Sequence, residues 1–138
     1  MADTLDLSLV NALAELDSVR LAVEAFLRGH GVSGHPIHHM VLALDELLTN
    51  IISYGYGDQD EHTIRLILAV RPGVVDIELI DDGKPFNPLA APVPDTSAPL
   101  NERRIGGLGI HFVRKTMDAA AYERRDGNNI LRLSKKTA

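Results

Sequence analysis

The chain has 138 residues, 45% of them apolar and 24% charged, with six histidines, no cysteine and a formal net charge of -5. That length and balance describe one globular domain, residues 1–138, with a core of its own rather than a disordered chain. They exclude disulfides, thiolate metal sites and thiol catalysis, and they give no general attraction to nucleic acid. No apolar run approaches the ~20 residues of a membrane span, and no signal-peptide pattern opens the sequence. A soluble cytoplasmic protein with no membrane or nucleic-acid partner is expected.

Leu5, Leu7 and Leu9 alternate with polar residues, which predicts a strand over residues 1–10. From about Leu13 to Gly31 the period becomes helical, carried by Leu16, Val19, Leu21, Val23, Phe26 and Leu27, with Gly29 and Gly31 as stop signals. Gly34-His35-Pro36 opens a second helix, roughly Ile37 to Ser53. Met40, Val41, Leu44, Leu47, Leu48, Ile51 and Ile52 give it a broad apolar face.

Glu46 and Asn50 lie four apart on that helix and therefore share one strip of its surface. They are either plain solvated helix surface or a working pair. In the second case Asn50 lends a carbonyl oxygen to Mg²⁺ and Glu46 handles a proton. Tyr54-Gly55-Tyr56-Gly57-Asp58 ends the helix with turn chemistry.

Residues 62–71 and 74–81 read as an antiparallel hairpin joined by Pro72-Gly73, a pair suited to the centre of a type II turn. The second strand ends in Asp81-Asp82-Gly83-Lys84-Pro85-Phe86. Neighbouring strand residues point to opposite faces, so one Asp faces a pocket and the other solvent. A carboxylate held in a pocket accepts from an amino group such as that of adenine; the alternative is an ordinary turn ending a strand. Residues 87–105 contain four prolines and no regular period. A connection this long in a small domain is functional or disordered. With the turn before it, about 84–105, it reads as a lid; Arg103 and Arg104 at its end are either phosphate contacts or plain solvated charge.

The stretch Arg103 to Asp118, RRIGGLGIHFVRKTMD, sets Gly106, Gly107 and Gly109 ahead of a helical pattern of Ile110, Val113 and Met117. Glycines at a helix start admit a ligand close to the backbone, and unpaired N–H groups there suit phosphate. The stretch is either such a cradle or a plain glycine-rich loop. It is not a Walker A loop, because Arg114 occupies the place of the second glycine. Nor is it a dinucleotide fingerprint, because Phe112 replaces the third glycine. Ala119–Arg125 and Ile130–Leu133 predict two last strands around a four-residue connection, Asp126-Gly127-Asn128-Asn129.

The order of a helix with Glu46 and Asn50, a strand ending in Asp81-x-Gly83, and a lid followed by Gly107-Leu108-Gly109 resembles the GHKL family of ATP-binding domains. The resemblance covers about residues 10 to 135. Within it, DELLTNIISYGY (45–56), DDGKPFNP (81–88) and the glycine stretch look like the motifs of bacterial anti-sigma-factor serine/threonine kinases.

The resemblance implies an α+β fold, a two-layer sandwich with a mostly antiparallel sheet covered on one face by helices. It implies ATP and Mg²⁺ as cofactors, with Asn50 on the metal and Glu46 as catalytic base. Asp81 would accept from the adenine amino group, and Gly83 would line the base pocket. Gly106, Gly107, Leu108 and Gly109 would hold phosphates, with Arg104 and His111, in the first turn of the helix, close by. Pro85 stands where the family's turn has its second glycine, and a proline fixes φ and offers no N–H.

The activity implied is phosphorylation of a STAS-domain anti-sigma-factor antagonist, with control of a sigma factor by partner switching. A homodimer, through the first helix or a sheet edge, is a further expectation of the resemblance. Two alternatives stand beside it: a nucleotide-gated protein-binding module without kinase activity, and a stand-alone histidine-kinase-like ATPase domain. A histidine metal site lacks convincing partners among His30, His35, His38, His39 and His62.

Overall fold

Five extended segments build one sheet. A computed structural model describes residues 3–90 and 107–137. Its strands are β1 (Thr4–Val10), β2 (Thr63–Arg71), β3 (Val74–Asp81), β4 (Ala119–Arg125) and β5 (Asn128–Lys136). They lie in the order β1-β2-β3-β5-β4, and each neighbouring pair is antiparallel. The helices are α1 (Leu16–Gly29), α2 (His35–Tyr54) and α3 (Gly107–Thr116). The architecture is the expected α+β sandwich, and every predicted element is present.

The register puts like against like: Leu66 opposite Leu79, Leu68 opposite Ile77, and Leu79 opposite Leu131. These side chains are buried on the helix-covered face. Against them pack Val19, Val23 and Leu27 of α1, spaced four apart, and Met40, Leu44, Leu47 and Leu48 of α2. Ile110, Val113 and Met117 bring α3 onto the same core. Each fully buried side chain of this kind contributes roughly 1.5–3 kcal/mol. The opposite face carries charge. Arg65 holds Asp6 with two hydrogen bonds, and Arg132 bridges Glu78 and Glu123 across three strands. Water screens such exposed pairs, so the buried face, not the charged one, holds the layers together.

Glycine conformation decides the joints. Gly34 precedes α2 at φ 74°, ψ -144°, a region almost confined to glycine. Between β2 and β3, Arg71 pairs with Val74, which leaves Pro72-Gly73 as a two-residue turn with Gly73 at φ 76°. That agrees with the type II expectation. The last hairpin differs from expectation. Arg125 pairs directly with Asn128, so the connection is two residues rather than four. Asp126 and Gly127 take φ 53° and 80°, as a type I′ turn requires of both central residues. Asn128 and Asn129 thereby become strand residues, and Asn129 comes to lie opposite Asp81. Among the described residues, no helix is long and apolar enough to cross a membrane.

Candidate functional site

The α2 strip comes first. Glu46 and Asn50 are half-buried and four residues apart. The Asn50 amide Nδ2 donates to the Glu46 backbone carbonyl at 2.9 Å and reaches the Glu46 carboxylate, Oε2, at 3.5 Å. With its amino end turned back on Glu46, Asn50 has its carbonyl oxygen left to present elsewhere. Loss of water around Glu46 pushes its carboxyl above the usual range, and the neighbouring Asp45 charge adds to the effect.

Five residues beyond Asn50, Gly55 caps the C-terminus of α2, about 7.5 Å further along the helix axis. Gly55 touches the turn that follows Asp81. A Cβ at Gly83 would lie 2.7 Å from the Gly55 carbonyl oxygen. Lys84 N–H donates to that same oxygen at 2.8 Å. Main chain therefore meets main chain here, which explains both glycines in physical terms.

Strand alternation separates the paired aspartates as expected. Asp81 is 6% exposed and faces the helix side. Its Oδ1 accepts from Gly83 N–H at 2.9 Å and from Asn129 Nδ2 at 3.0 Å. Burial raises the Asp81 carboxyl, and these two hydrogen bonds partly offset that. Asp82 is exposed and faces His62, whose Nδ1 stands 3.3 Å from Oδ2.

Asn129 belongs to this site although sequence reading left it in a loop. It is 6% exposed and uses its whole amide. Nδ2 donates to Asp81 and to the Lys84 carbonyl at 2.8 Å; Oδ1 accepts from Phe86 N–H at 3.2 Å and from the Tyr122 hydroxyl at 2.5 Å. Beside it on β4, Arg124 donates to the Gly83 carbonyl at 2.7 Å. Arg124, Asn129 and Asp81 form one row across β4, β5 and β3. The signal in the sequence was the Asp126-Gly127 dipeptide, because a two-residue turn there sets that row by counting.

A second unpredicted cluster sits next to the Asp81 turn. The Tyr56 and His62 rings stack at 4.1 Å and 14°. His62 Nε2 meets Asp58 at 2.8 Å while Nδ1 meets Asp82. These carboxylates raise the His62 ring above its ordinary value. Burial, then the nearby Asp81 and Asp82 charges, pushes the Tyr56 hydroxyl well up. Both ring nitrogens of His62 are thus engaged, and among the described residues no group of three or more His, Asp or Glu could hold a metal ion.

Gly107, Leu108 and Gly109 form the start of α3, where backbone N–H groups lack acceptors within the helix. His111 is the fifth helical residue, one step beyond the first turn where it was expected. Its Nδ1 is buried and has no partner among the described residues. α3 packs on α2, with Phe112 edge-on to His39 at 6.1 Å. Gly106, Arg104 and residues 91–105 of the expected lid lie outside the described residues; its start is a turn and a short 3₁₀ segment, Pro88–Ala90. The structure thus joins the Glu46–Asn50 strip to the Asp81 turn through Gly55, and α3 to the strip's helix through side-chain packing.

Several known proteins are similar to this chain. Over 136 residues the chain is 32% identical to the serine/threonine-protein kinase BtrW of Bordetella bronchiseptica, covering 99% of this chain and 94% of that one. It is 28% identical over 120 residues to an anti-sigma F factor of Clostridium botulinum, covering 85% and 82%. It is 26% identical over 117 residues to the serine-protein kinase RsbW of Bacillus cereus, covering 82% and 72%. Among solved structures, the RsbU and RsbW domains of a Mycobacterium tuberculosis protein superpose with a TM-score of 0.67 at 18% identity, over 96% of this chain and 32% of that one. A blue-light activated histidine kinase of Erythrobacter litoralis gives 0.57 at 18% identity, over 90% and 41%. The model of the histidine kinase-like ATPase domain matches residues 9–135. That span takes in the α2 strip, the Asp81 turn and the glycine-led α3, and the chain accordingly belongs to the GHKL family of histidine kinase-like ATPase domains.

Proposed function

We propose that the chain is an ATP-dependent serine/threonine protein kinase of the anti-sigma-factor type, which phosphorylates a serine of a STAS-domain antagonist and regulates a sigma factor by partner switching. The observation that carries the reading is Asp81, a buried carboxylate whose Oδ1 is saturated by Gly83 and Asn129. Its other oxygen is left as an acceptor for an amino group, which adenine offers. The names of the relatives, two of them protein kinases and one an anti-sigma factor, support the same class.

Each group then has a task. Gly83 lines the base, and the N–H groups of Gly107, Leu108 and Gly109 receive phosphate oxygens. Gly106 and Arg104 stand just ahead of them in the chain, and His111 just behind. Asn50 would be the residue that holds Mg²⁺, through its side-chain carbonyl oxygen, since this ion is commonly held by few protein groups together with substrate phosphates. Once bound, the ion supplies charge neutralisation at the phosphates. Glu46 orients the serine hydroxyl and takes its proton, and a carboxylate raised by desolvation is a stronger base for that step. The phosphoserine product carries about two negative charges, enough to change which partner the antagonist's binding site retains.

The test is transfer of labelled phosphate from ATP-Mg²⁺ to candidate STAS domains, beside Glu46→Ala. Transfer by the unaltered chain, lost in the variant while nucleotide affinity is kept, is the expected result. ATP binding without transfer to any STAS domain of the same organism would favour a nucleotide-gated binding module instead.

A further inference from the structure

Pro85 interrupts the turn between β3 and the segment that follows, and it has no N–H to pair. The main-chain groups on either side of it, the Lys84 carbonyl and the Phe86 N–H, are both satisfied by one side chain, Asn129, at 2.8 and 3.2 Å. A carboxamide has the same donor and acceptor as a peptide group, so Asn129 pairs with this irregular turn as a neighbouring strand would. Its second Nδ2 hydrogen goes to Asp81 Oδ1, and the Tyr122 hydroxyl donates to its Oδ1. One buried amide thus couples the turn's path to the direction of the Asp81 carboxylate.

We infer that Asn129, by pairing with the main chain on both sides of Pro85 while holding Asp81 Oδ1, is a positioning residue that sets the base specificity of the site. The inference rests on the nucleotide reading above. With Oδ1 occupied by two N–H donors, Asp81 presents a single acceptor in a fixed direction. A base with an amino group there is accepted. A base with a carbonyl oxygen at the same place sets acceptor against acceptor, and such unpaired buried groups are costly. Without Asn129 the carboxylate rotates, the Pro85 turn loses its partner, and the two bases become less distinguishable.

The experiment measures Kd for ATP and GTP with the unaltered chain, Asn129→Ala and Tyr122→Phe. In Asn129→Ala, ATP affinity falls by roughly tenfold, as loss of one hydrogen bond to a charged group implies. The GTP-to-ATP ratio of Kd values falls with it. Tyr122→Phe keeps the packing, removes one donor to Asn129, and shifts the ratio the same way by less, so a conclusion survives even if Asn129→Ala fails to fold. Equal loss of ATP and GTP affinity with an unchanged ratio in the variants that fold would overturn the inference, since a purely structural role predicts that. A ratio near one in the unaltered chain would overturn it too. No ATP binding by the unaltered chain would overturn the nucleotide reading itself.

Discussion

Arg124 lies on edge strand β4, yet its guanidinium donates to the carbonyl of Gly83, 41 residues earlier, at 2.7 Å. The contact spans β5 and ties the turn after Asp81 to the edge of the sheet. Because Arg124 is exposed overall, its loss costs the fold little. Arg124→Ala is expected to weaken ATP binding about three- to tenfold, the scale of one charge-assisted hydrogen bond near water. The melting temperature should stay nearly unchanged. Isothermal titration beside a thermal melt checks both, and a large drop in melting temperature with intact affinity would show that the contact serves folding alone.

Gly55 and Gly83 make the other half of that grip. A methyl group at Gly83 would sit 2.7 Å from the Gly55 carbonyl, and one at Gly55 2.5 Å from the Ile51 carbonyl. Both obstacles are backbone and cannot swing away. Gly83→Ala should therefore push the Asp81 turn off the end of α2, at about 1–3 kcal/mol as overpacking typically costs. Nucleotide affinity is expected to fall further than stability does. Gly127→Ala is the control: a Cβ there meets open space, although its φ of 80° makes a side chain strained. It should cost some stability and leave affinity alone.

The pH dependence of transfer should report Glu46. Desolvation, then Asp45, raises its carboxyl, and a base must be ionised to act. Rate is therefore lost as pH falls through a value above the ordinary glutamate range. Asp45→Asn removes the like charge and should move this acidic limb to lower pH. The stability sign is opposite to that of a salt-bridged acid. Folding holds the proton longer than the unfolded chain does, so Glu46 subtracts stability as pH rises from its ordinary value of 4.5 through its raised folded value. Glu46→Gln should remove that loss, as melts across the same range would show.

Much of the fold was written in local pattern. Leu66 and Leu68 against Leu79 and Ile77 follow from alternation and a Pro-Gly turn, and Val19, Val23 and Leu27 follow from helical spacing. Asp81 and Asp82 were separable by pleat alone. Asn129 and Arg124 were not, because their roles depend on a register between strands far apart in the chain. Reading the Asp126-Gly127 connection as four residues placed Asn129 in a loop and hid its place opposite Asp81. The Tyr56–His62 stack was hidden for a related reason: it joins the irregular exit of α2 to His62, read as a strand residue but standing just before β2, and neither periodicity nor propensity relates the two.

That stack makes the last prediction. His62 is held between Asp58 at 2.8 Å and Asp82 at 3.3 Å, with Tyr56 flat against its ring. The groups facing it are thus two carboxylates and one phenol, and the hydrogen bonds to Asp58 and Asp82 raise its affinity for a proton. A folded value above the unfolded 6.5 means that the stabilisation is fully present below 6.5 and is lost as pH rises through the folded value. His62→Gln keeps a hydrogen-bonding side chain but not the titration. The variant should therefore melt below the unaltered chain in acid and approach it in mild alkali. Since His62 ties Asp82 to the exit of α2, nucleotide affinity should follow the same pH course. A melting difference that stays constant with pH would leave the ring as packing for Tyr56 and nothing more.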